Sequence, residues 1–131
     1  LHDELRRQRQ MCIRDREKIL AYSSDKFICI VDESKYTDLL GKFPLPVEVI
    51  EIARSAISRE LMKMGGKPIF RNGFKSDNGN QIIDIHNMPM DVPFELEALI
   101  NNIPGVVENG IFSKRKADTI ICASASSIEI I

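Results

Sequence analysis

The sequence predicts an α/β protein in which a small β-α-β-β-α-β unit interrupts a second, parallel sheet layer. Three observations predict this class. A continuous apolar run at 27–31 is typical of a buried parallel strand. Asn78-Gly79 between two β-prone runs indicates a hairpin. Two stretches, 52–64 and 93–102, carry apolar residues at helical spacing.

Length and charge limit the possible functions. With 131 residues, the chain can form one compact domain, or a small domain plus part of another. Its net charge of −1 provides no general attraction for nucleic acid or anionic lipid, and no stretch is apolar and long enough to span a membrane. We therefore expect a cytoplasmic protein with no nucleic-acid or membrane partner.

The first fifteen residues differ from the rest of the chain. They are rich in arginine, lack glycine and show no regular apolar spacing, so we expect a non-native segment at 1–15. Regular patterning begins near Glu17, where residues 17–22 are expected to end a helix. The buried strand at 27–31 then leads into Asp32-Glu33-Ser34-Lys35. Polar residues just past the carboxyl end of a parallel strand are where α/β proteins tend to bind ligands.

Residues 44–110 are predicted to form the small unit. Pro44 and Pro46 fit an extended connector better than a central strand, and we place a domain boundary there. The order of elements after it is that of the ferredoxin-like split βαβ fold. The predicted elements are strands at 47–50, 68–75, 81–86 and 105–108 and helices at 52–64 and 93–102, the second capped by Asp91 and burying Leu96, Leu99, Ile100 and Ile103.

Further apolar runs follow the small unit and need a sheet to join. The partner that the sequence offers is the run at 27–31, which predicts one Rossmann-like parallel layer around the inserted unit. The other strands of such a layer are not in the sequence, so we expect a fragment of a longer protein. The further runs are 111–112, 119–122 and 128–131, and the predicted partial catalytic domain comprises residues 16–43 and 111–131.

An ordered set of short strings carries a family resemblance. The strings are REKI at 16–19, KFICIVDESK at 26–35, LGKFPLPVEV at 40–49, DNGN at 77–80 with DIH at 84–86, and IPGVV at 103–107 with GIF at 110–112. Together they resemble the carboxyl half of the type A ribose-5-phosphate isomerases. Any one string would be weak, but the set keeps its order from residue 16 to the end of the chain.

The resemblance implies an enzyme that interconverts ribose 5-phosphate and ribulose 5-phosphate through an ene-diol, in the non-oxidative branch of the pentose phosphate pathway. It implies no metal and no organic cofactor, and it implies homodimers or larger homo-oligomers. Glu17 matches the family's catalytic glutamate, and Lys35 matches the lysine that contacts the substrate phosphate.

The family's other functional motifs have no counterpart in this sequence. These are a lysine with a glycine-rich run, a motif with paired aspartates, and a glycine-serine-threonine phosphate loop. We therefore expect the chain alone to have little activity, because positioning and preorganised charge supply most of the acceleration in such sites.

Other interpretations stay open at this point. The β-α-β-β-α-β unit could be a small-molecule-binding or dimerisation module without catalysis, since a fold alone does not decide function. Asp84 and His86 share a strand face and could begin a metal site, although a hairpin surface is favoured. Lys114-Arg115-Lys116 could bind an anion, although a solvated loop is favoured. Cys29 and Cys122 are expected in the core as reduced thiols.

Overall fold

The computed structural model describes residues 16–33 and 43–131, which form two sheets, one of them covered by helices. The predicted α/β class is confirmed. None of the described helices is long and apolar enough to cross a bilayer. The helices are α1 (residues 16–23), α2 (Arg54–Lys63) and α3 (Pro93–Asn101), and the strands are β1 (Ile28–Asp32), β2 (Leu45–Val49), β3 (Lys67–Phe70), β4 (Gln81–His86), β5 (Val106–Asn109), β6 (Thr119–Ala123) and β7 (Ile128–Ile130).

The four-stranded sheet has the order β3-β4-β2-β5, and every adjacent pair is antiparallel. Successive side chains on a strand point to opposite faces, so alternate residues of β2 and β4 face α2 and α3. Burying each large aliphatic side chain there stabilises the fold by roughly 1.5–3 kcal/mol. The core contains Leu45, Val47, Val49, Ile57, Leu61, Ile83, Ile85, Met88, Leu96, Ile100 and Ile111.

This sheet has the predicted ferredoxin-like order of elements along the chain, β2-α2-β3-β4-α3-β5. The domain limits themselves stay a prediction. Ile111, which the prediction assigned to the outer layer, is 5% exposed and packs in the core of the four-stranded sheet.

The prediction that the stretch from Pro44 to Pro46 lies outside the central strands is wrong. Leu45 and Pro46 begin β2, and Pro46 pairs with Asp84 of the central strand β4. The Pro46 carbonyl accepts a hydrogen bond from the N–H of Gly110 at 2.9 Å, on the β5 side. A residue's N and carbonyl point to the same side of a strand, so the missing N–H of Pro46 faces away from β4. No bond of the β2–β4 ladder is lost, which is why proline is tolerated there.

The other sheet has the order β1-β6-β7, with β1 parallel to β6 and β6 antiparallel to β7. The connection from β1 to its parallel neighbour contains the whole four-stranded unit. Residues 16–33 and 43–131 leave one face of this sheet uncovered, and Ile30 and Ile130 are 73% and 70% exposed. Among the described residues β1 is therefore not buried on both faces, and Cys29 and Cys122 are only partly buried.

Helix α3 buries Leu96 and Ile100 as predicted, and Ile103 packs against the same core, but one predicted core residue is exposed and one charged residue is buried. Leu99 is 58% exposed, whereas Glu97 is 4% exposed. Asp91 does not cap the helix, because the N-cap residue is Val92 and no side chain caps the first turn. The helical period was correct, but the polar partners that make Glu97 an interior residue lie in other elements.

The predicted strand at 68–75 is shorter in the structure, since β3 ends at Phe70. The chain then turns, with the Ser76 N–H donating to the Asn80 carbonyl at 2.8 Å and Gly79 at a φ of 78°. The hairpin connection is therefore a long polar loop that lies beside β2 and β4.

Candidate active site

Glu17 lies in α1, between Arg16 and Lys18. Its side chain is exposed and has no hydrogen-bond or ion-pair partner within 16–33 and 43–131. Such a carboxylate keeps its oxygen lone pairs available to accept a proton from a ligand. The arrangement is compatible with the role of general base, and that role stays a prediction.

Lys18 is held far more firmly than its neighbour. The side chain is 12% exposed, and Nζ donates to Glu97 Oε1 at 2.9 Å, to Glu108 Oε1 at 2.8 Å and to the Asn109 carbonyl oxygen at 2.9 Å. A lysine ammonium has three N–H donors, so all of them are used. These contacts join α1 to α3 and β5 of the four-stranded unit.

The Glu97 carboxylate is almost fully buried and accepts hydrogen bonds at both oxygens. Oε2 accepts from the Ser113 N–H at 2.8 Å, the Ser113 hydroxyl at 2.7 Å and the Lys114 N–H at 2.9 Å. Burial raises the pKa of this carboxyl, but the hydrogen bonds from Lys18, Ser113 and Lys114 outweigh burial and leave the pKa below its ordinary value. Glu97 is therefore ionised at neutral pH and balances the charge of Lys18.

Glu108 provides the second negative charge beside Lys18. Its Oε1 also accepts from Asn101 Nδ2 and from the Asn109 N–H, each at 2.9 Å. The Asn109 side chain is buried and donates to Asn101 Oδ1 at 2.6 Å. The ammonium of Lys18 thus enters a preformed polar network at the end of β5.

Arg16, on the other side of Glu17, contacts the hairpin loop. Its Nη2 lies 3.3 Å from Asp77 Oδ2, in an exposed ion pair. The loop that carries Asp77 is held from below by the buried Glu48 of β2, which accepts hydrogen bonds from the Ser76 hydroxyl and from Asn80 Nδ2. Both sequence neighbours of Glu17 therefore contact the four-stranded unit.

The end of α1 is held by the basic segment before β6. Arg115 Nε donates to the Ala21 carbonyl at 3.2 Å, and Arg115 Nη2 pairs with Asp118 Oδ2 at 2.6 Å. The hydrogen bond from Arg115, together with one from the Phe27 N–H, lowers the pKa of Asp118 to about 2. Arg115 is thus a structural residue, whereas Lys114 and Lys116 are exposed.

The carboxyl end of β1 opens onto a cleft of about 350 Å³ lined by Glu33, Cys122, Glu129 and Ile131. Lys35, the predicted phosphate-contacting residue, lies outside the described residues. The distance between Glu17 and Lys35 is therefore not defined by the described residues.

The remaining candidate is the metal site that Asp84 and His86 could begin. Asp84 accepts hydrogen bonds from Arg71 Nε, at 2.8 Å, and from Arg71 Nη2. No group of three potential metal-ligating side chains occurs in the part of the chain that the structure describes. A metal site at Asp84 and His86 therefore has no third ligand among these residues.

Comparison with known proteins identifies the family. The family model described as ribose 5-phosphate isomerase A (phosphoriboisomerase A) matches residues 11–127. The chain belongs to this isomerase family. The resemblance read from the sequence is thereby confirmed, and it places Glu17, Lys18 and Lys35 inside the matched region.

Solved structures of ribose 5-phosphate isomerases are similar to the chain over most of its length. The Neisseria gonorrhoeae ribose 5 phosphate isomerase A is 51% identical, with a TM-score of 0.85, over 88% of this chain and 52% of its own. The Methanocaldococcus jannaschii protein is 44% identical, with a TM-score of 0.84, over 90% and 54%. A D-ribose-5-phosphate isomerase in complex with phospho-erythronic acid is 41% identical, with a TM-score of 0.81, over 88% and 53%. The chain spans about half the length of these isomerases.

Sequence reasoning missed the contacts of Lys18. One signal was present, because Glu97 stands among Pro93, Leu96 and Ile100 at the spacing of a buried helical face. A charged residue at such a position indicates a buried partner. Nothing local to Lys18 identified it as that partner, 79 residues earlier in the chain.

Proposed function

We propose that this chain is the carboxyl-terminal part of an enzyme that interconverts ribose 5-phosphate and ribulose 5-phosphate, with Glu17 as the general base. The observation that carries the proposal is the isomerase family match over residues 11–127. The exposed, unengaged carboxylate of Glu17, next to the firmly held Lys18, supports the choice of base.

The proposed reaction is a proton transfer between adjacent carbons. Glu17 accepts the proton on the carbon next to the carbonyl, which gives an ene-diol, and then returns it to the neighbouring carbon. One carboxylate can serve both carbons because they are adjacent, as in triosephosphate isomerase. A general base of this kind typically contributes a factor of about 10²–10⁴ to the rate.

Substrate binding needs positive charge at the phosphate end. We assign Lys35 to that contact because it matches the family's phosphate-contacting lysine, and its place in the sequence after β1 agrees with where ligands of parallel sheets are usually bound. The lysine, paired aspartates and phosphate loop of the family pattern are not in the sequence. We infer that the chain alone is nearly inactive and that the activity belongs to a longer protein.

The test of the base is the variant Glu17→Gln in the full-length protein. The sequence of that protein is obtained from the genomic DNA upstream of the codon for Arg16. The amide keeps the shape of the carboxylate but cannot accept the proton. We expect kcat for ribose 5-phosphate to fall by about 10²-fold or more, with KM changed little. The rate of isomerisation is measured as the rate at which ribulose 5-phosphate forms.

Glu95→Gln is the matched control, since Glu95 is also an exposed helical glutamate. It should leave kcat unchanged. An undiminished kcat in Glu17→Gln would remove Glu17 as the base. The unmodified 131-residue chain is assayed in parallel, and turnover at an ordinary enzymic rate, about 1–10³ s⁻¹, would contradict its proposed inactivity.

The resemblance also leads us to propose a homodimer or larger homo-oligomer and a cytoplasmic location for the full-length protein. Native mass measurement of that protein tests the first, and a strict monomer at high concentration would count against it. The second is tested by fractionating source cells.

A further inference from the structure

Lys18, the residue next to the proposed base, connects α1 with α3 and β5 of the four-stranded unit. It follows Glu17 directly in α1, and its three donors reach α3 and β5. Its partners are themselves held: Glu97 by Ser113 and Lys114, and Glu108 by Asn101 and the Asn109 N–H.

We propose that Lys18 is a positioning residue for the isomerase, and that its contacts with Glu97 and Glu108 set the direction in which Glu17 points. This inference rests on the proposed function, since it assigns a task to the neighbour of the proposed base. Lys18 itself does not face the substrate, because all its N–H donors are used inside the protein.

Helix geometry makes the coupling between the two residues strict. Neighbouring Cα–Cβ bonds on an α-helix are about 100° apart, so holding one residue in place sets the direction in which the next side chain leaves the helix. A side-chain end lies roughly 5–6 Å from the helix axis, so a rotation of about 20° moves the Glu17 carboxylate by roughly 2 Å. A misplacement of about 1 Å can cost about 10²-fold in rate.

The other contacts of α1 do not fix this rotation equally well. The Arg16–Asp77 ion pair is exposed, with side chains 72% and 53% accessible, and exposed pairs hold geometry weakly. Arg115 bonds to a main-chain carbonyl, that of Ala21, near the end of the helix. A main-chain contact at one point restrains the position of the helix more than its rotation. The Ala21 side chain is also buried, at 3% exposed, but a methyl group makes no directional contact, so Lys18 is the polar side-chain contact that orients Glu17.

The first arm of the test uses the 131-residue chain. Lys18→Met keeps the apolar stem of the side chain and removes its three donors. We expect amide hydrogen exchange of residues 16–23 to quicken by about tenfold or more. Lys63→Met is the matched control, because Lys63 forms an exposed pair with Glu60 at 2.7 Å in α2. It should leave exchange of residues 16–23 unchanged.

The second arm measures the reaction in the full-length protein. We expect Lys18→Met to lower kcat by about 10–100-fold and to change KM by less than about threefold. Lys18→Met should also lower Tm, because it leaves the buried Glu97 carboxylate without its cation. The double variant Lys18→Met with Glu97→Gln removes that carboxylate charge and should recover part of the lost Tm. The double variant should not recover kcat. If Lys18→Met fails to fold, Glu97→Gln alone is assayed and should lower kcat by about threefold or more.

The outcomes separate this inference from the proposed function. A kcat within about twofold of the parent in a folded Lys18→Met, or an unchanged kcat in Glu97→Gln where it replaces that variant, overturns the inference while leaving the isomerase intact. Recovery of kcat together with Tm in the double variant also overturns it, since stability alone would then explain the loss. Full activity in Glu17→Gln would instead refute the choice of base, and the inference would fall with it.

Discussion

Gly105, in the turn between α3 and β5, offers a test of how closely this turn packs against the start of α2. Its φ is +93°, and a Cβ at this position would lie 2.3 Å from the Ala53 Cβ and 3.3 Å from Ile50 Cγ1. Gly105→Ala therefore adds backbone strain of roughly 1–2 kcal/mol to overpacking of roughly 1–3 kcal/mol. We expect the free energy of unfolding to fall by about 2–5 kcal/mol.

Two further variants separate the contributions. Gly79→Ala is the control for strain alone, because its φ is +78° and no atom lies within 4 Å of the added Cβ. It should cost about 1–2 kcal/mol. Ala53→Gly removes the atom closest to the new methyl and by itself costs about 0.5–1 kcal/mol. Combined with Gly105→Ala, it should be less destabilising than the sum of the two single changes by about 1–3 kcal/mol.

Urea unfolding followed by far-ultraviolet circular dichroism measures these free energies, since the chain contains no tryptophan. Equal losses in Gly105→Ala and Gly79→Ala would refute the steric argument. So would strict additivity of Gly105→Ala and Ala53→Gly. Either result would mean that the turn and the start of α2 do not touch as described.

The remaining predictions concern Lys35 and Asp118. In the full-length protein Lys35→Ala should mainly raise KM for ribose 5-phosphate, by a factor corresponding to about 1.5–3 kcal/mol, because a charge-assisted contact with the phosphate is lost; an unchanged KM would remove Lys35 from the phosphate site. The pKa of Asp118, ordinarily 3.8, is about 2 in the folded chain, so its stabilising contribution is present above about pH 4 and lost as the pH falls toward about 2. Asp118→Asn should flatten the fall in Tm over that range, with the exposed Asp91→Asn as control; the parent's full pH dependence in Asp118→Asn would contradict the assignment.

Much of the fold followed from short-range patterns. The limits of β4 at Gln81–His86 coincide with the prediction, because the Asn78-Gly79 turn and the strand it precedes are encoded locally. Helix α2 likewise buries Ile57 and Leu61 as its spacing predicted.

Predictions failed where a residue's place depends on a neighbouring strand or helix. Pro46 fits in a central strand because its nitrogen faces beyond the end of β5, and the sequence of β2 does not contain that information. Leu99 is exposed and Glu97 buried because Lys18, Ser113 and Lys114 supply the partners for a carboxylate on that face. Helix and strand propensities and the apolar period of one element do not contain the positions of these partners.

The amino-acid sequence by itself determined the family, the order of strands and helices, and the choice of Glu17 and Lys35 as candidate site residues, because these rest on ordered local strings. Only the tertiary structure decided that Lys18 connects α1 to the four-stranded unit, since Glu108 lies 90 residues further along the chain. A buried ammonium is stable only where carboxylates and carbonyls converge on it, and that convergence is a property of the packed elements rather than of any one of them.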